Sequence, residues 1–311
     1  MTHPYIKQRE IDRENWIAQQ PADKLFTQLF LPGTHHSATF KFAGNPFVSP
    51  FARTWAQCQD LSLTQQLCAG IRFLDIRLAQ YKQEMYVSHN MAFQPALDVF
   101  LELKAFLVLH PREIIVLHLR QDWERELDLV MLESAVQHHF GPLLVRRDQV
   151  AGTLGEIWAS GRNLVIKLAP YLPAFVEYDV QDWMFGKWYN ESDSGILVDR
   201  LRQDMQQEYT HLQPPMRSLE AIITPTSRQI ALYYMSLGLR SSLKDMQNET
   251  NQRILELMNE KSKLEGFNLF LMDRMDERMV DWVVAKNFSE EMVDWVVAKN
   301  FSEEMIELRR S

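Results

Sequence analysis

Short apolar runs alternate along this chain with longer stretches in which apolar residues return every three or four positions. The runs at 25–31, 71–78, 85–88, 114–119, 163–168, 221–224 and 267–272 read as strands. The stretches at 61–70, 95–109, 126–139 and 229–263 read as helices. Strands that alternate with helices predict a parallel sheet with helical crossovers. Residues 1–24 are polar around Trp16 and form a lead-in segment. Pro32-Gly33 ends the first apolar run, and Thr34-His35-His36-Ser37 follows at once. Taken alone, that cluster is either a turn with two surface histidines or the rim of a site. Other strands also close on ionisable residues: Asp75 and Arg77, His89, Arg120 with Asp122 beyond it, Lys167, and Asp273. In an α/β barrel such strand ends converge on one mouth. The pattern therefore predicts a single α/β domain of barrel form over 1–311, with its chemistry at the C-terminal ends of the strands.

Two stretches stand apart from this alternation. Residues 41–57 hold Phe42, Phe47, Phe51 and Trp55, broken by Pro46 and Pro50. This is either a loop folded onto the core or an apolar rim that touches lipid. Residues 279–291 recur unchanged at 292–304, so 279–304 is an identical tandem duplication. Thirteen residues of continuous helix advance about 1300°, which turns the second copy's apolar face by about 140°. Both copies cannot pack one face on one core in an unbroken helix. One copy is expected to dock as the final helix, and the chain to kink around 287–291.

Composition narrows the class. With 46% hydrophobic and 24% charged residues the chain is an ordinary globular sequence of 311 residues. A formal charge of -8 argues against a nucleic-acid surface. Two cysteines, Cys58 and Cys68, cannot form a disulfide framework. The N-terminus lacks the apolar core of a secretory signal, and no run of about 18 apolar residues offers a membrane span. A cytoplasmic place, or export by a non-classical route, is expected. Oligomeric state cannot be read from the sequence.

The motifs supply the function. Pro32-Gly33-Thr34-His35-His36-Ser37, Gly70-Ile71-Arg72-Phe73-Leu74-Asp75-Ile76-Arg77, His89 a dozen residues later, and His110-Pro111-Arg112-Glu113 ahead of an apolar strand occur in that order. Together they resemble the X-domain family of phosphatidylinositol-specific phospholipases C, over roughly residues 15–285. The resemblance implies an irregular TIM-like (β/α) barrel. It also implies cleavage of phosphatidylinositol to diacylglycerol and a cyclic inositol phosphate at a membrane surface. It makes His35 the general base, His89 the general acid and Asp273 the group that orients His35. Histidine suits both proton roles because its ordinary pKa lies near working pH.

Arg77 bears on the metal question. The calcium-dependent branch of the family carries a second carboxylate on this strand, whereas the metal-independent bacterial-like branch carries an Arg. With Asp75 followed by Arg77, the resemblance is to the latter, and neither calcium nor another cofactor is expected. A guanidinium forks onto phosphate oxygens. The plain alternative for Arg77 is a core ion pair with Asp75. Arg120 and Lys167, with Asp122 beside them, stand where the family grips inositol or phosphate. His36 is the departure, since the family places Asp or Asn there. A metal reading through His35, His36, His89 and Asp75 is weakened by the rarity of adjacent histidines facing one ion. Two rival readings remain: a catalytically weakened barrel that binds phosphoinositide or protein, and a related phosphodiesterase acting on another phospholipid headgroup.

Overall fold

The computed structural model describes residues 11–42, 53–122, 125–207, 215–259, 266–290, 292–294 and 296. Its sheet contains β1 (Leu31–Thr34), β2 (Phe73–Tyr81), β3 (Glu84–Ser88), β4 (Ala92–Pro95), β5 (Ile115–Gln121), β6 (Leu164–Ala169), β7 (Met184–Gly186), β8 (Met216–Ala221) and β9 (Leu269–Met272). Seven strands run parallel in the order β6-β5-β2-β1-β9-β8-β7. The fold is an irregular (β/α) barrel. Among the described residues no ladder joins β6 to β7, and that seam carries the bridge Ile166–Asp179 and a hydrogen bond from Lys167 Nζ to Met184 O (3.2 Å).

The first strand differs from the expected 25–31. Phe26–Gln28 is a 3-10 turn, and the strand begins at Leu31 and runs through Pro32-Gly33. The apolar residues ahead of it, Phe26, Leu29 and Phe30, are buried as core without being strand. Pro32 is tolerated centrally because its carbonyl accepts from Arg72 N (2.9 Å), and its missing N–H faces that same edge just below the first ladder pair, Gly33–Phe73. Gly33 is needed for closeness: a Cβ there would lie 2.9 Å from both Leu269 Cδ1 and Phe73 Cβ.

Alternation of strand and helix is also not strict. β2 pairs with β5 through Leu78, then uses its other edge, beyond the end of β1, to run antiparallel with β3. β3 in turn pairs with β4. This meander lifts His89 over the barrel mouth. The strand read at 221–224 lies earlier, as β8, and β7 and the helix Ser194–Gln206 were not legible as separate elements. The stretch 229–263 is two helices, Ser227–Met235 and Leu243–Asn259, divided where Leu237 and Gly238 take positive φ (54° and 85°).

Two motif residues hold the barrel together instead of facing its mouth. Arg72 and Glu113 form a pair that excludes solvent entirely (Nε–Oε2 2.7 Å). The remaining Arg72 donors reach the carbonyls of Arg13, Glu14, Leu67 and Ile71. Glu113 accepts from Ile17 N and Ala18 N, which ties down the lead-in segment. At the other end, the first copy of the duplication forms the helix Glu277–Ala285, capped by Asp276, with Met279, Val280, Trp282 and Val283 buried. The chain turns at 286–288, and Asn287 bonds both backbone groups of Phe30 (2.8 Å each). In the second copy, Val293 and Val296 are buried.

Candidate active site

The turn after β1 is locked to β2. Ser37 Oγ accepts from Asp75 N (2.9 Å), Ser37 N donates to Asp75 O (2.8 Å), and Thr34 Oγ1 donates to Ser37 Oγ (2.8 Å). His35 continues the barrel edge, its N–H donating to Met272 O (2.9 Å). Its Nδ1–H donates to Asp273 Oδ1 (2.9 Å), at the end of the neighbouring β9. That bond leaves Nε2 as the free base nitrogen, 3.9 Å from Asp75 Oδ2. His36 takes φ of +45°, an uncommon conformation for a side chain of its size. Its buried ring stacks on His89 (centroids 3.8 Å, 18° between planes) and lies 4.2 Å from the His35 ring. The three imidazoles form one row, and neither ring nitrogen of His36 has a hydrogen-bond partner.

His89 donates from Nδ1 to Ala56 O (2.8 Å), so its Nε2 is the nitrogen available for proton exchange. The turn that carries it is fixed by Asp122, which accepts from Ser88 Oγ (2.5 Å) and Asn90 N (2.9 Å). Asp122 is buried and does not line the cavity, which corrects its expected place among the substrate-gripping residues. The carboxylate is consumed by the turn.

Asp75 and Arg77 share the inner face of β2, level with His118 and Arg120 on β5. Arg77 does not form the alternative ion pair with Asp75. His118 Nδ1 lies 3.5 Å from that carboxylate, and the guanidinium beside it is that of Arg120 (4.0 Å). Arg77 Nε is buried without a hydrogen-bond partner. Lys167 joins from β6, level with His118. His118 escaped the sequence reading because 114–119 looks like a plain apolar strand. Its alternation with Arg120, two residues on, was the available signal. Glu220 on β8 also faces the cavity and accepts from Ser218 Oγ (3.0 Å).

These groups line one cavity of roughly 580 Å³ that opens at the strand ends. Burial favours the neutral form of three of its histidines, His36, His89 and His118. His89 falls to about 4, desolvation outweighing its hydrogen bond to Ala56, with His35 and Arg77 adding to the fall. His118 falls to about 3 through burial and the Lys167 charge, against the pull of Asp75. His36 is held well below its ordinary value by burial and by the surrounding imidazoles and guanidiniums. Asp75 behaves oppositely. Burial would raise it, but His118, His35, Arg120 and Arg77 together hold it at about 2. Burial lowers Arg77 and Lys167 and raises Glu220.

Of the expected aromatic rim, Phe47 and Phe51 lie outside the described residues. Phe42 sits edge-on to Phe93 (5.9 Å) against the core, so it is not rim. Trp55 lines the cavity and meets Tyr233 edge-on (5.4 Å). Just beyond Tyr233, Met235, Leu237 and Leu239 are 73%, 83% and 91% exposed, an apolar ridge that the reading of 229–263 as one helix concealed.

Fold and site together place an imidazole–carboxylate pair, further imidazoles and several cations at the mouth of an α/β barrel, a set suited to an anionic ligand. Comparison with known proteins narrows this. No family model matches the chain. It is 32% identical over 124 residues to human PI-PLC X domain-containing protein 1, covering 38% of each chain. It is 31% identical over 116 residues to 1-phosphatidylinositol phosphodiesterase of Staphylococcus aureus, covering 36% of each. A looser match, 25% over 264 residues, covers 75% of this chain and 76% of mouse PI-PLC X domain-containing protein 2. The first curated relatives are matched over between 18% and 38% of their own length. Among solved structures, phosphatidylinositol-specific phospholipase C from Listeria monocytogenes superposes with a TM-score of 0.63 at 19% identity, over 90% of this chain and 100% of that one. The chain is similar in motifs and in barrel fold to the phosphatidylinositol-specific phospholipases C.

Proposed function

We propose that the protein is a phosphodiesterase that cleaves phosphatidylinositol-type lipid to diacylglycerol and a cyclic inositol phosphate without a metal. The observation that carries this reading is the Nδ1 bond of His35 to Asp273, which leaves Nε2 as a base facing the cavity. His35 takes the proton of the inositol 2-hydroxyl as that oxygen attacks phosphorus. His89, protonated at Nε2, gives its proton to the departing glycerol oxygen. Arg77, assisted by Arg120 and Lys167, neutralises the phosphoryl oxygens, which is the work a cation does in such a transfer. Asp75 holds charge balance among these cations. The exposed ridge at Met235, Leu237 and Leu239, next to the mouth, supplies an apolar contact with the bilayer.

A second reading, a barrel that binds phosphoinositide with weak turnover, is favoured by one feature. His89 sits near 4 with a neutral imidazole stacked on it where a carboxylate would raise it. Arrival of the anionic phosphodiester works against that depression. The test is diacylglycerol release from vesicles in chelator. Release from phosphatidylinositol, none from phosphatidylcholine or a lysophospholipid, and weaker vesicle binding by Leu237→Asp are expected. A calcium requirement contradicts the role of Arg77, and binding without release moves the reading to the second one.

A further inference from the structure

One donor on the cavity wall, the Cys58 thiol, is left unused by the proposed chemistry, and it stands beside two that are used. Cys58 is 2% exposed, and its Sγ lies 3.8 Å from His89 Nδ1. Donor atoms of His35, Cys58 and Asp273 all lie within 4.8 Å of one another, and all three residues line the cavity. They arrive from three places in the fold, yet each is held. Cys58 N donates to Thr39 Oγ1 (3.0 Å), Arg274 N donates to Cys58 O (2.8 Å), and Gln59 Nε2 donates to His35 O (2.9 Å). Beside them stands His36, 1% exposed, with both ring nitrogens unpartnered.

Thiolate, imidazole and carboxylate are the donors a zinc-type ion selects, with bonds of about 2.0–2.3 Å. Ligand atoms around such a tetrahedral ion stand roughly 3.3–3.8 Å apart by those bond lengths. The widest separation, at most 4.8 Å, has to close by up to about an ångström, and the His35–Asp273 pair at 2.9 Å has to open slightly. A fourth position opens to the cavity, which is also the route of entry. Burial pushes the Cys58 thiol up, so without an ion it stays protonated and inert as a nucleophile.

We propose that His35, Cys58 and Asp273 form an inhibitory site for a thiophilic divalent cation such as zinc. The inhibitory consequence rests on the reading of His35 as base, whereas binding itself does not. On binding, the thiol proton of Cys58 leaves to solvent and a thiolate–metal bond forms, with no change of oxidation state. The His35–Asp273 hydrogen bond gives way to two coordinate bonds, and the proton of Nδ1 passes to Nε2. A histidine protonated at Nε2 can no longer accept the hydroxyl proton, so bound metal stops turnover.

Cobalt(II) titration of the full chain reads the site without any assay of activity. One equivalent is expected to raise a thiolate-to-cobalt charge-transfer band in the near ultraviolet, together with the visible bands of tetrahedral cobalt, and zinc is expected to displace it. Cys58→Ser is expected to lose the band, and Cys68→Ser, which alters the other thiol, to keep it. In parallel, zinc is expected to suppress phosphatidylinositol turnover in the unaltered protein and in Cys68→Ser. Cys58→Ser, measured against its own rate in chelator, should resist zinc. Should serine at this buried position unfold the chain, Cys58→Ala carries the same test. Absence of the band at one equivalent, or its survival in both Cys58 variants, overturns the site. A band without loss of turnover overturns the inhibitory role. A band in a protein that turns over no lipid keeps the site and removes the functional reading.

Discussion

His36 is the residue on which the chemistry turns. Its ring occupies the place beside His89, brings no charge there, and shields His89 from water. An acid held near 4 is protonated in about one molecule in a thousand at pH 7. A carboxylate at the same point would favour the charged imidazole, and Asp, like His, is among the residues that take positive φ. His36→Asp is therefore expected to raise turnover at pH 7 by about tenfold or more and to move the limb of the pH–rate profile assigned to His89 upward. A pH–rate series on both proteins checks this. Turnover that falls while the limb stays put would show that His89 is not the acid.

At the scale of elements, the motif residues divide into two kinds, and the sequence did not separate them. His35 and Asp273 reach the cavity because they stand just beyond the C-terminal ends of β1 and β9, and Asp75 and Arg77 because they share the inner face of β2, level with His118 and Arg120. Arg72 and Glu113 belong to the same motifs but lie toward the strand starts, sealed at zero exposure among lead-in backbone. Removing one partner of such a pair leaves a buried charge, at a cost of about 3–5 kcal/mol. Glu113→Ala should lower the unfolding free energy by that order, read from the shift of the urea midpoint, while the folded fraction keeps its affinity for phosphoinositide. The parallel barrel order was legible because strands buried on both faces leave apolar runs that end abruptly. The β2–β3–β4 meander was not, because its strands are short and half-exposed. β1 was misplaced because an apolar run marks burial, and Phe26, Leu29 and Phe30 are buried as a 3-10 turn and its neighbours. His118 was missed because one imidazole inside a strand leaves no periodic trace.

At the scale of the whole molecule, three histidines among the described residues, all at the barrel mouth, are held by folding in their neutral form. His36, His89 and His118 all lie below their ordinary pKa of about 6.5, at which they titrate when unfolded. The stability they contribute is fully present above about pH 6.5 and is lost as pH falls toward the folded values, because the unfolded chain binds the protons first. Each uncoupled group contributes a slope of about 1.4 kcal/mol per pH unit in that window. Urea midpoints taken in chelator from pH 7 to pH 4.5 should fall steeply, and His118→Gln should flatten the slope by about one proton's worth. A flat profile would mean that these rings are solvated. Among the described residues no helix is long and apolar enough to cross a membrane.

The account stands on His35 acting as the base in a cyclising cleavage. Phosphorus NMR of phosphatidylinositol micelles with the protein in chelator, run beside His35→Ala, tests that in one spectrum. A cyclic inositol phosphate resonance that grows with the unaltered protein and not with the variant is the predicted result. Equal growth in both samples, or a non-cyclic phosphate appearing first, would contradict it.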